Sequence, residues 1–176
     1  YGKGIETYIS GKADNSYNVA ATGSTFTRIQ GVAGEDLYRV YDNANVESDI
    51  IIDDSGDNYV QDHLYIEGGT TLNNQLGLTD QKVQLSNGKY VFYSPKTYDN
   101  SRLGLDKITF NLYDGDDTLN IESTSVQTSL DINTHKGSDV VNIGVAHNHF
   151  ITKSTSLAAD PVGKTFGALI KQNMNN

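Results

Sequence analysis

The stretch D114-G-D-D-T-L-N-I-E-S-T-S-V-Q-T-S-L-D-I-N-T-H-K-G-S-D-V-V-N-I143 states one pattern twice. A Gly, an acidic residue two positions on and alternating apolar residues make up G115-D-D-T-L-N-I121. They recur as G137-S-D-V-V-N-I143. Strict alternation is the mark of a strand with one buried face. Its apolar pairs, Ile108/Phe110, Leu119/Ile121, Leu130/Ile132 and Val141/Ile143, follow one another every 11 residues, and Asp139 follows Asp117 by 22. Four strands on one fixed beat predict a repeat architecture in which a coil of about 22 residues carries two strands and stacks on its neighbour.

Working outward, the N-terminal third repeats the idea. Asp14, Asp36 and Asp57 are spaced by 22 and 21 and precede Y17-N-V19, Y38-R-V40 and Y59-V60, the third in a looser register. A shift of 103 residues superposes Asp14 on Asp117, Ile29 on Ile132, Gly34 on Gly137 and Asp36 on Asp139. Segments 4–40 and 107–143 therefore read as equivalent parts of a repeat about a hundred residues long. Between them the beat is lost. There V83-Q-L-S-N-G-K-Y-V-F92 places two alternating runs around Asn87-Gly88, the signature of a hairpin on a tight primed turn. The expectation is an inserted hairpin covering one side of the stack, or alternatively a partner-binding arm.

The fold class expected is all-β: a β-solenoid, or parallel β-helix-like stack of about 22-residue coils, with an inserted β-hairpin. Within one structural domain, residues 1–60 form a first solenoid segment, 61–105 the insertion, 106–150 a second solenoid segment and 151–176 a capping tail. Asn120 and Asn142 share a slot between two apolar residues, so stacking predicts an outward amide ladder.

Composition narrows the chemistry. The 176 residues carry 13 Lys+Arg against 22 Asp+Glu, a formal charge of −9, which excludes a phosphate-backbone footprint and so nucleic acid as a partner. No cysteine is present, so disulfides and thiolate metal sites are excluded. No apolar run reaches the roughly 20 residues of a membrane span, and the start at Tyr1 reads as a piece cut from something longer. There is no G-x-S-x-G elbow and no P-loop, and carboxylates set by periodic turns need no catalytic role. The chain is expected not to be an enzyme.

The Gly-x-Asp-x-apolar-x-apolar motif, in D114-G-D-D-T-L, K136-G-S-D-V-V and G34-E-D36, resembles the calcium-binding repeats of RTX proteins. It also resembles the GxGxDxVxV tandem repeats of giant bacterial extracellular, adhesin-type proteins, over about 4–60 and 104–143. The resemblance implies a β-solenoid in a large secreted or cell-surface protein. It implies a structural or adhesive role, neighbouring repeats or like subunits as partners, and calcium held at turn aspartates. On these residues the metal candidates are Asp114, Asp116, Asp117 and Asp139, with Asp36 and Asp57.

Physics poses the same question independently. Carboxylates stacked about 4.8 Å apart repel by about 3 kcal/mol at an effective dielectric near 20. Either a shared hard cation reverses that sign, or each Asp caps its own turn through a backbone N–H two residues on. Tyr90, Tyr93 and Tyr98 cluster around the hairpin; they either cap a core and keep the hydroxyl wet or, exposed in one plane, suit stacking on sugar rings. That pattern supports the alternatives, a carbohydrate-binding module or a β-helix polysaccharide-active enzyme, with polysaccharide as partner. His147 and His149, at i and i+2, read as a surface pair with no third ligand in sight.

Overall fold

The computed structural model describes residues 7–55, 61–70, 72–93, 104–125 and 128–144. Among them it is all-β, with thirteen strands in two sheets and no helix, and hence none long and apolar enough to cross a membrane. In chain order the strands are β1 Thr7–Gly11, β2 Asn15–Val19, β3 Thr27–Gly31, β4 Asp36–Tyr41, β5 Ile50–Asp54, β6 His63–Glu67 and β7 Gln75–Leu78. They continue with β8 Lys82–Gln84, β9 Tyr90–Tyr93, β10 Lys107–Asn111, β11 Thr118–Ile121, β12 Ser129–Asn133 and β13 Val140–Ile143. Odd and even strands of the first three coils go to opposite walls. One wall, in the order β2-β4-β6-β10-β12, is wholly parallel. The chain is a β-solenoid.

The quoted stretch folds as its periodicity requires. Ile108 and Phe110 lie opposite Leu130 and Ile132, and Leu119 and Ile121 lie opposite Val141 and Ile143, each partner two beats further along the chain. Burying one face of each strand fixes this register, because a slip of one residue would turn every apolar side chain outward. The core runs between the walls through Tyr38, Val40, Ile52, Leu64, Ile66, Leu76, Val91, Phe110 and Leu119, all fully or almost fully buried. The outward amide of Asn142 donates to Asn120 Oδ1 at 2.9 Å, and Asn133 to Asn111 Oδ1 at 2.9 Å. The amide ladder is present, and it has a twin on the other wall.

Three expectations change. The hairpin does not cover a side of the stack; it is wedged into one wall, which runs β1-β3-β5-β9-β8-β7-β11-β13. β9 pairs parallel to β5, β7 pairs parallel to β11, and only the β7-β8 and β8-β9 pairings are antiparallel. The aperiodic stretch read over 61–105 thus contains three strands, β6, β7 and β9, that pair parallel with strands of the stack. The hairpin turn also differs. Only Gly88 has positive φ there, at 81°, and Leu85 accepts from the Gly88 N–H while donating to the Lys89 carbonyl. This is a longer loop closed by a glycine bulge, not a two-residue primed turn.

The third difference concerns the coil that follows β4. Leu37 pairs with His63 and Tyr38 with Leu64, so the residue stacked on Asp36 is Asp62 and not Asp57. Asp57, Tyr59 and Val60 lie outside the described residues, as do Tyr98, His147 and His149. The shift of 103 that equates the two segments also crosses walls. It maps β3 onto β12 and β4 onto β13, which belong to opposite sheets. The two Gly-x-Asp corners therefore stand on the two edges of the solenoid.

Candidate metal centre at the coil corners

Corners are built by Asx residues at the entry to a strand, bonded to the adjacent coil. At the edge before β11 and β13, the Asn74 N–H donates to Asp117 Oδ1 at 2.7 Å, and the Asp117 N–H donates to Asp139 Oδ1 at 3.1 Å. One residue earlier the direction reverses. The Asp116 N–H donates to Asn73 Oδ1 at 3.0 Å, and the Ser138 N–H to Asp116 Oδ1 at 2.8 Å. At the opposite edge the Asn15 N–H donates to Asp36 Oδ1 at 3.0 Å and the Glu35 N–H to Asp14 Oδ1 at 3.0 Å. Further along that edge, the Asp36 N–H donates to Asp62 Oδ1 at 2.8 Å and the Asp62 N–H to Asp106 Oδ2 at 3.1 Å.

The stacked acids are thus neither bare nor capping their own turns. Each carboxylate takes the backbone N–H of the adjacent coil, a charge-assisted bond that satisfies a donor no strand ladder reaches. An Asp can do this only if its coil comes close. Gly115 and Gly137 both hold φ of 146°, and a Cβ on Gly137 would collide with the Gly115 carbonyl oxygen. Tyr113 and His135, two residues before them, lie in the left-handed region at φ of 66° and 61°, and stack with ring centroids 5.3 Å apart. The corner conformation is therefore repeated residue for residue, down to the spacing that makes His135 a stacking partner.

The predicted metal residues separate into two groups. Asp114 is exposed and lies 3.9 Å from Lys136. Asp116 and Asp139 are committed through one oxygen to a neighbouring coil. Asp117 is buried and raised above the usual carboxylate range by burial, then by the charges of Asp139, Asp116 and Asp42. These four are brought into one column. Asp36 stands on the other edge, in different company.

There, three carboxylates come together. Asp36, Asp54 and Asp62 are 0%, 2% and 2% exposed, and one oxygen of each lies within 4.8 Å of the others. Asp36 Oδ1 accepts from both the Asn15 backbone and its side chain, while Asp36 Oδ2 is buried with no hydrogen-bond partner. Asp62 is pushed up to about 7 by burial, with the charges of Asp54, Asp36 and Asp106 adding to it. Burial also raises Asp36. The Tyr38 hydroxyl donates to Asp54 Oδ2 at 2.8 Å, and burial holds its proton firmly.

Space for this cluster comes from Gly31. It pairs with Asp54 across the wall, and a Cβ there would overlap both the Tyr38 hydroxyl and Asp36 Oδ2. Gly11 is the residue in register one coil earlier, beside Asn15 and Tyr17. The column Gly11–Gly31–Asp54 thus replaces a glycine with an acid at its third step. Sequence reasoning named Asp36 but missed Asp54 and Asp62. The legible signal was the Asx doublet at strand entries, Asp14-Asn15, Asn73-Asn74 and Asp116-Asp117, whose first side chain accepts a backbone N–H of the adjacent coil; Asp54 carries no motif and is found only through the register.

The aromatic alternative loses its geometry. Tyr93 is 6% exposed with its hydroxyl donating to the Thr79 carbonyl at 2.5 Å, whereas Tyr90 lies on the other face of β9, under Lys82 Nζ at 4.5 Å. Tyr90 and Tyr93 therefore do not form one exposed plane. His63 is equally occupied. It stacks on Tyr65 at 3.9 Å, meets Thr109 Oγ1 at 2.8 Å, and is lowered to about 4 by burial and then Lys107.

No protein-family model matches this chain, and no curated protein or solved structure matches it either.

Proposed function

We propose that this chain is a structural, adhesive-type repeat module of a large secreted or cell-surface protein, a stiff spacer hardened by calcium and not an enzyme. The observation that carries the reading is where the corner side chains are spent. Asp14, Asp36, Asp62, Asp106, Asp116 and Asp139 each accept a backbone N–H from an adjacent coil, so acids that the sequence offers for chemistry hold the stack together. A solenoid whose repeats touch only their neighbours gains length by adding coils. Its partners in this reading are adjoining repeats of the same chain or like subunits.

Small-angle scattering on one, two and three copies joined in tandem tests it. A spacer gives a maximum dimension that grows in proportion to copy number, with an unchanged cross-section. A compact particle at three copies overturns the reading.

A further inference from the structure

We propose that Asp36, Asp54 and Asp62 form a buried calcium site between the second and third coils. This deepens the spacer reading by naming the residues that hold its cation, and it fails separately, since ion content and particle length are measured independently.

The geometry is that of a cage with one ligand waiting. Three carboxylates converge in a pocket 0–2% exposed, and removing charge from water is costly where an oxygen such as Asp36 Oδ2 accepts no hydrogen bond. The charges acting most strongly on Asp36 and Asp62 are those of other aspartates. Asp36 Oδ2, sealed from water and accepting nothing, sits where Gly31 leaves room, as does the Tyr38 hydroxyl that binds Asp54. The second and third coils differ at just the position that matters. Replacing the column's glycine by Asp54 brings a third carboxylate to a place already holding two.

All donors are oxygen, which selects a hard cation and excludes thiolate or imidazole metals. One oxygen from each of the three lies within 4.8 Å of the other two, close enough for a single ion to be shared among them. Magnesium, at about 2.0–2.1 Å, dehydrates reluctantly and keeps several waters, so a fully buried set of protein carboxylates suits calcium instead. Calcium bound by three carboxylates leaves one net negative charge, offset in part by the N–H groups of Asn15 and Asp36 that the Asp36 and Asp62 carboxylates accept.

The test uses the full chain, unfolded and refolded in chelator and then in calcium. Metal content after desalting is expected near one calcium per chain, with a melting temperature about 5–10 °C above that in chelator at saturating calcium. Terbium bound in its place is expected to luminesce on tyrosine excitation, with a large loss in Tyr38→Phe. Asp54→Gly, which restores the residue of the two preceding coils, should lose the ion and the melting shift. Asp54→Asn gives the same readout with the shape preserved should the glycine variant not fold. Asp116→Asn, on the opposite edge, should keep both. No bound calcium, an equal response to magnesium, an unchanged response in Asp54→Asn, or loss of the response in Asp116→Asn would each overturn the site.

Discussion

At the scale of single residues, glycine and aspartate divide the work at each corner. Gly115 is held at a φ of 146°, with the Leu72 carbonyl oxygen where its Cβ would be, so Gly115→Ala must both strain the backbone and push coils apart. The expected cost is about 2–3 kcal/mol in urea unfolding. Gly23→Ala, with nothing within 4 Å of its Cβ, should stay within about 0.5 kcal/mol. Aspartate supplies the opposite sensitivity. In metal-free protein the folded chain keeps the Asp62 proton up to about pH 7, whereas an unfolded Asp releases it near pH 4. The native state binds more protons across that window, so its stability falls as pH rises through it. Asp62→Asn should melt above wild type at pH 8 in chelator, and the gap should close by pH 5. A gap that does not change with pH would show that Asp62 carries no raised pKa.

Among elements, the question is what joins one strand to the next coil. Asp117 Oδ1 takes the Asn74 N–H at a corner that is almost fully buried. Asp117→Ala therefore leaves a buried donor unmet, at about 1–3 kcal/mol. Asp117→Asn keeps an acceptor in place and relieves like charge, so it should cost less than half as much in the same urea titration. Equal losses would mean that charge, not the cross-coil bond, matters at this corner. The strands themselves were legible wherever the beat held. From β10 to β13 the alternation is clean and the spacing constant, so their register follows from which face is apolar. The hairpin strands were legible too, but not their place. β9 pairs with β5, and β7, which lies before the run read as a hairpin, pairs with β11; nothing in the local pattern announces either partner.

Across the whole molecule, the insertion is what the solenoid must absorb. Two strand widths, about 10 Å, enter one wall while β6 and β10 remain direct neighbours on the other. The candidate centre lies beside this disturbance, in the coils ending at β5 and β6. Of its three residues only Asp36 could be read in advance. Asp36 belongs to a repeated Gly-x-Asp corner, whereas Asp62 falls off the beat, and Asp54 ends a strand whose register partner is a glycine.

The claim beneath all of this is that the chain stacks coil on coil in the register its periodicity sets, and a chain without cysteine allows it to be tested without background. Lys107 and Ser129 are register partners on neighbouring parallel strands and reach the surface. Cysteines placed at both should lie within disulfide reach, since such partners stand about 4.8 Å apart. Cysteines at Lys107 and Asn133 are displaced by four positions, about 13 Å along the strand. The account predicts rapid intrachain oxidation of the first pair and none of the second. Failure of the first pair to close, or equal closure of both, would contradict it.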